Sequence, residues 1–202
     1  MSHQIPGRVI GKPLFKWELV LKDSFNFELL YKKLHEYLPE EDWEDLYRGS
    51  DDYETMYYEK DNGGGAVSHD IWWRAKKKPK NDLNGKLMFY FKMDIKTLVL
   101  KKKEVMIDGK KVKLDNGELG VNCWFYLDVT NNDYDKKWMK HPILKHFPKF
   151  FERNKDMRAA IEFAEVELKG QSDDLQTFFE TYTGARPEEG PKDFLPVKGI
   201  HP

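Results

Sequence analysis

The sequence predicts an α+β fold: a six- to seven-stranded antiparallel sheet packed against a long C-terminal helical region, with two short helices after the first strand. Three observations predict it. From Lys86 to about Leu100, residues Leu87, Phe89, Phe91, Met93 and Ile95 point one way while Lys92, Asp94 and Lys96 point the other. From Glu118 to Thr130, residues Leu119, Val121, Cys123, Phe125, Leu127 and Val129 share a face opposite Asn122, Trp124, Tyr126 and Asp128. A period of two held over so many residues is the signature of half-buried strands. Third, the apolar residues on either side of this strand-rich stretch recur at spacings of three and four, the period of helices.

Residues 1–13 carry Pro6, Gly7, Gly11 and Pro13 without periodicity and read as an arm; residues 14–184 form a single domain, and 185–202 an extended tail. Leu14 to Lys22 alternates, with Phe15, Trp17, Leu19 and Leu21 on one face, and makes the first strand. Asp23 or Ser24 is then placed to cap a helix bearing Phe27, Leu30, Tyr31, Leu34 and Leu38. Pro39 is expected to end it, and Glu40 to Tyr47, with Trp43, Leu46 and Tyr47, to form a second short helix. Tyr53 to Lys60 and Val67 to Lys78 are strands joined by Asp61 to Gly65, whose Asn and Gly residues tolerate positive φ. The central strand follows a basic loop, its phase shifts near Lys101, and Asp108–Gly109 turns it. Lys111 to Leu114 returns, Asp115–Asn116–Gly117 turns again, and Glu118 begins the last strand.

After Asn131 to Asp133, Pro142 suits a first helical turn before Ile143, Leu144, Phe147, Phe150 and Phe151, and Pro148 is expected to interrupt that helix. Met157, Ile161, Ala164 and Leu168 continue a helical pattern, although Glu162 to Lys169 also alternates as a strand would. Ser172 is placed to cap a last helix bearing Leu175, Phe178, Phe179 and Tyr182 and ending at Gly184.

The net charge of −1 hides segregation. Glu28 to Asp61 holds twelve carboxylates against four Lys or Arg, Arg74 to Lys113 fourteen cations against four carboxylates, and Asp156 to Asp193 ten carboxylates against four cations. Such blocks steer partners or pair with one another. No window approaches the roughly 18 apolar residues of a spanning helix. Met1 to Gly7 lacks the apolar core of a signal peptide, and one cysteine cannot form an intrachain disulfide, so the expected location is cytoplasmic.

Most chemistry-bearing residues have an ordinary structural reading. Cys123 sits mid-strand on the apolar face, where free cysteine packs as a small hydrophobe. His141 and His146, five apart, do not share a helical face, so no metal site is indicated. Asp42, Glu44, Asp45, Asp51 and Asp52 read as a solvated acidic segment, and Gly63 to Gly65 lacks the Lys-Ser/Thr of a phosphate loop. No catalytic set and no cofactor motif is legible, which favours a non-enzymatic protein.

Two features exceed what a plain core needs. Rings occupy both faces of the strands, Trp72 beside Trp73 and Trp124 beside Phe125. The apolar-face group Trp73, Phe89, Phe91 and Phe125, with His69, is the candidate ligand-binding set. Arg74, Lys76, Lys77, Lys78, Lys101, Lys102 and Lys103 form the candidate nucleic-acid-binding set, since lysines interleaved with rings suit single-stranded RNA. Solvated lysines also guard strand edges.

A strand, two short helices, a run of antiparallel strands and a C-terminal helical region resemble the helix-grip architecture of START and Bet v 1-like domains, over Leu14 to about Lys169. In that family the sheet curls around the C-terminal helix and leaves a cavity for lipids, hormones or aromatic polyketides, or presents a protein-binding surface. The resemblance implies a binding module that holds an apolar small molecule or a protein partner between sheet and C-terminal helices. Pro148, which falls within the gripping helix, and the further helix and tail after Gly170 depart from the pattern, and the extra C-terminal residues are placed to fill or cover such a cavity. The alternative is an RNA- or ribosome-associated factor using the lysines. Lys140 to Leu144 and Val105 to Lys110 also resemble phrases of uncharacterised archaeal proteins, which imply no activity.

Overall fold

In chain order the elements are β1 (Phe15–Phe25), α1 (Phe27–Glu40), β2 (Glu44–Asp45), β3 (Glu54–Asp61), β4 (Ala66–Lys77), β5 (Met88–Ile107), β6 (Lys110–Asp128) and α2 (Lys155–Thr183). They come from a computed structural model that describes residues 13–46, 52–80, 87–107, 110–128 and 155–184. The α+β expectation holds, with six strands in one antiparallel sheet ordered β1-β6-β5-β4 and both β2 and β3 along the outer edge of β4. The expected helix from Pro142, its interruption at Pro148, the Asn131 to Asp133 turn, residues 1–12 and the tail lie outside the described residues.

Register explains the core. Trp17, Cys123, Met93 and Trp73 lie in one row across four strands, Leu19, Val121, Ile95 and Ile71 in the next, and Phe15, Phe125, Phe91 and Ala75 in a third. Nearly all are buried, and they share one cluster with residues of both helices, so α1 and α2 cover the same face. From α1 come Phe27, Leu30, Leu34 and Leu38; from α2 come Ala160, Ala164, Leu168, Leu175 and Phe179. α2 lies over β1 and β6, with Phe179 edge-on to Trp17 at 5.6 Å.

Four local expectations change. Asn26, rather than Asp23 or Ser24, caps α1, its Oδ1 accepting from Leu29 N–H at 2.9 Å. Asp23 and Ser24 are still in β1, paired with Gly117 and Asn116. The second short helix is absent: α1 ends in a Schellman turn in which Asp42 takes φ 58°, Asp42 N–H reaches Pro39 O at 3.0 Å, and Trp43 N–H reaches Leu38 O at 3.0 Å. Trp43 is thereby swung into the core, 5.5 Å from the Phe91 ring, and β2 follows. At the C-terminal end a single helix replaces two, because Ser172 is buried within the stripe of α2 and caps nothing. Gly184 ends it as expected, its N–H reaching Glu180 O at 2.8 Å.

The fourth change concerns Asp115 to Gly117, which is not a turn but lies within continuous β6. The phase shift expected near Lys101 is present as a bulge between Leu98 and Lys101, with Val99 at φ 52°. A β-branched residue in that region is strained by about 1–3 kcal/mol. Its N–H is held by Ser68 Oγ at 3.0 Å. The bulge pushes backbone toward Gly117, where a Cβ would lie 2.8 Å from Leu98 O and 3.0 Å from Val99 O. Asn and Gly here answer to the neighbouring strand, not to a local turn.

Candidate functional site

One end of the covered face opens as a cleft of about 210 Å³. It is lined by Phe27 and Glu28 from the start of α1, Glu59 from β3, Gly65, Val67 and His69 from the β4 end, Leu100 and Lys102 from β5, and Asp115 from β6. The clear turn at Asp61 to Gly65 sets this end: Gly63, Gly64 and Gly65 all take positive φ, which folds β3 sharply onto β4.

His69 is the polar centre of the cleft. A shift in the β4–β5 register after Val67 takes His69 N–H out of the ladder and gives it to Thr97 Oγ1 at 2.9 Å. Its ring stacks on Phe27 at 4.7 Å, which keeps Nδ1 2.8 Å from the same hydroxyl and Nε2 3.6 Å from Glu59 Oε2. One self-consistent arrangement has Thr97 O–H donating to Nδ1 and the proton on Nε2 facing Glu59. Burial holds the imidazole below its ordinary pKa, against the opposing pull of Glu59 and Asp115. It is therefore neutral near pH 7. Burial, and then its hydrogen bond to Glu59, push the neighbouring Tyr57 phenol up to about 12, so Tyr57 remains a donor.

Asp115 ties the other wall together. It is buried, with Oδ2 accepting the N–H of Phe27 at 3.2 Å and Oδ1 paired with Lys102 Nζ at 2.8 Å. A carboxylate on the first residues of a helix satisfies a donor that the helix leaves open and complements its dipole. The result is an apolar floor of Phe27, Val67 and Leu100, one imidazole, and three carboxylates, Glu28, Glu59 and Asp115, against the single cation Lys102. Among the described residues, the lining holds no serine, threonine or cysteine. Cys123 lies fully buried in the Trp17–Trp73 row with its thiol pushed well above the usual range by desolvation. Among the described residues no three His, Cys, Asp or Glu side chains converge as a metal site requires.

The candidate ligand set divides. His69 lines the cleft, whereas Trp73, Phe89, Phe91 and Phe125 are buried in the core between sheet and helices. Phe91 and Phe125 lie 5.3 Å apart, and Trp73 is enclosed by His35 at 4.3 Å, Tyr31 at 5.5 Å and Tyr53 at 6.1 Å. The candidate nucleic-acid set divides too. Arg74 is buried on the opposite sheet face, its guanidinium giving hydrogen bonds to Trp73 O at 2.7 Å and Met93 O at 3.0 Å and pairing with Asp94 at 2.8 Å. Lys77 is buried on the helix-covered side, donating to Glu41 O at 2.5 Å and Gln171 Oε1 at 3.1 Å. Lys76 donates to Leu46 O at 3.2 Å, and Lys78 is exposed. Lys101, Lys102 and Lys103 are exposed at the far end of β5, beside the cleft. Phe27, Glu28, Glu59 and Asp115 line the cleft, and Thr97 holds His69, without the sequence marking any of them as site residues.

No helix among the described residues is long and apolar enough to cross a membrane. No family model, curated protein or solved structure matches the chain.

Proposed function

We propose that the chain is a non-enzymatic binding module of helix-grip type, whose ligand is a small molecule with an apolar body, seated over Phe27 in the end cleft. The strand order, with both helices on one sheet face and the last element a helix over β1 and β6, supports the architectural part. The observation that carries the functional part is His69: a ring stacked on Phe27 that lines an apolar-floored cleft, with Nε2 3.6 Å from Glu59. Rings fill the adjacent core, so the ligand belongs at the rim and not deep between sheet and C-terminal helix. The carboxylates of Glu28 and Glu59 select a neutral or cationic ligand over an anion.

Three aromatic probes of similar size test this: acetophenone, benzamidine and benzoate, titrated while the amide resonances of Phe27, Val67 and His69 are followed by NMR. Acetophenone or benzamidine should shift these resonances, benzoate should bind at least about tenfold more weakly, and His69→Ala should abolish the response. Equal binding of benzoate, or shifts that survive His69→Ala, would refute the assignment.

A further inference from the structure

The hairpin of β5 and β6 outruns the sheet. The last β4 partner on β5 is Lys101, and the last β1 partner on β6 is Asp115. Beyond them, the five pairs from Lys103–Leu114 to Ile107–Lys110 have no neighbouring strand among the described residues. The projecting ribbon is roughly 16 Å long at 3.3 Å per residue. Its composition is one-sided, with six lysines against Glu104 and Asp108 between Lys101 and Lys113. Lys102 pairs with Asp115 and Lys111 with Glu104, but among the described residues no carboxylate pairs with Lys101, Lys103 or Lys113, and all three are exposed.

Charge alone would fit any polyanion. The apolar side chains decide between them. Leu98, Val99 and Met106 are 49%, 51% and 61% exposed, all within nine residues of the same strand, and Val99 is shown outward by a strained bulge. A nucleic acid backbone gains nothing from exposed Leu, Val and Met, whereas a lipid surface buries them while lysine stems reach its headgroups. The scarcity of arginine points the same way, since bidentate phosphate recognition on nucleic acid favours Arg. From these exposed lysines and apolar side chains we propose that the β5–β6 ribbon docks this protein on an anionic lipid surface. Leu100 and Lys102 at the ribbon's base also line the cleft, so the two surfaces adjoin. The docking itself does not require the cleft to be occupied.

Flotation with vesicles tests it, using phosphatidylcholine alone and phosphatidylcholine mixed with phosphatidylserine. The full chain should float with the mixed vesicles and not with phosphatidylcholine alone. Each of Lys101→Glu, Lys103→Glu and Lys113→Glu should lower partitioning at least about fivefold, since a lysine near an anionic surface contributes about that factor. Met106→Ser should lower it about tenfold through lost apolar burial. Lys32→Glu on α1 makes the same charge change elsewhere and should leave it within about twofold. All four lysines and Met106 are exposed, and unchanged thermal midpoints confirm that the variants fold. The proposal is overturned if the protein fails to float with mixed vesicles, if Met106→Ser floats as well as the parent, or if the ribbon lysines instead carry binding to RNA or DNA in the absence of vesicle binding.

Discussion

Asp115 offers the sharpest check on how the cleft is built, because two substitutions separate its two roles. Asp115→Ala removes both the acceptor for Phe27 N–H and the partner of Lys102, whereas Asp115→Asn keeps an oxygen for the amide and loses only the charge. Phe27 is buried, so its abandoned N–H costs roughly 1–3 kcal/mol, and the lost carboxylate at the helix start adds roughly 0.3–1 kcal/mol. The Lys102 side chain is 60% exposed, which limits its ion pair to about 0–1 kcal/mol. Asp115→Ala should therefore destabilise by about 2–3 kcal/mol and Asp115→Asn by about 1 kcal/mol or less. Urea unfolding followed by tryptophan fluorescence reads the difference, and for a chain of this size the alanine variant should melt roughly 5–10 °C lower. If the two variants are equally destabilised, charge and not the hydrogen bond to α1 is what Asp115 supplies. If neither moves by about 0.5 kcal/mol, the carboxylate does not anchor the helix start at all.

Two further outcomes are expected. Gly117→Ala would place a methyl against the Leu98 and Val99 carbonyls, backbone atoms that cannot turn aside, and should cost about 1–3 kcal/mol; a neutral result in urea unfolding would show that the bulge is not fixed as described. His69, held below its ordinary pKa in the fold, contributes stability that is complete above the unfolded value of about 6.5 and declines as pH falls through it toward the folded pKa, because the unfolded chain then binds the proton first. An NMR titration should place His69 below 6.5, with Glu59→Gln moving it lower still; a midpoint above 6.5 would contradict the geometry.

What the sequence disclosed follows the range of the forces involved. Alternation is set by the sheet itself, so the strands around Leu19, Ile71, Ile95 and Val121 are legible directly. Parity alone places Lys77, two residues beyond Ala75 and four beyond Trp73, on the helix-covered face, which separates it from Arg74 and Lys76. Non-local causes are what stay hidden. Asp115–Asn116–Gly117 has the composition of a turn, but Gly117 is needed because carbonyls of another strand approach it, and Asp115 because a helix far earlier in the chain begins beside it. Trp43 and Leu46 fit a helical stripe equally well, and only the left-handed turn at Asp42, closed on Leu38, converts that stripe to a strand. His69 is legible because an imidazole on an apolar face needs a partner; Thr97, its partner, carries no such mark.

A single extra residue in β5 organises the end of the molecule where both proposed activities lie. Up to Thr97 the odd-numbered residues of this strand face the helices: Phe91, Met93, Ile95 and Thr97 are all buried. After the bulge the parity is reversed. Leu100 and Lys102 line the cleft, and Lys102 meets Asp115, while Val99, Lys101 and Lys103 are turned out to solvent. A strand of unbroken period would carry one face along all of its 20 residues and could not supply both a core and an outward cationic ribbon from the same side-chain rows. The strain at Val99 and the obligatory glycine opposite it are the structural cost of that reversal, and both fall between the cleft and the ribbon. Strained backbone held by its surroundings is concentrated where a protein meets other molecules. Here it sits at the junction of the end cleft with an exposed basic and apolar hairpin, which is why both proposals are placed at this end rather than in the ring-filled core.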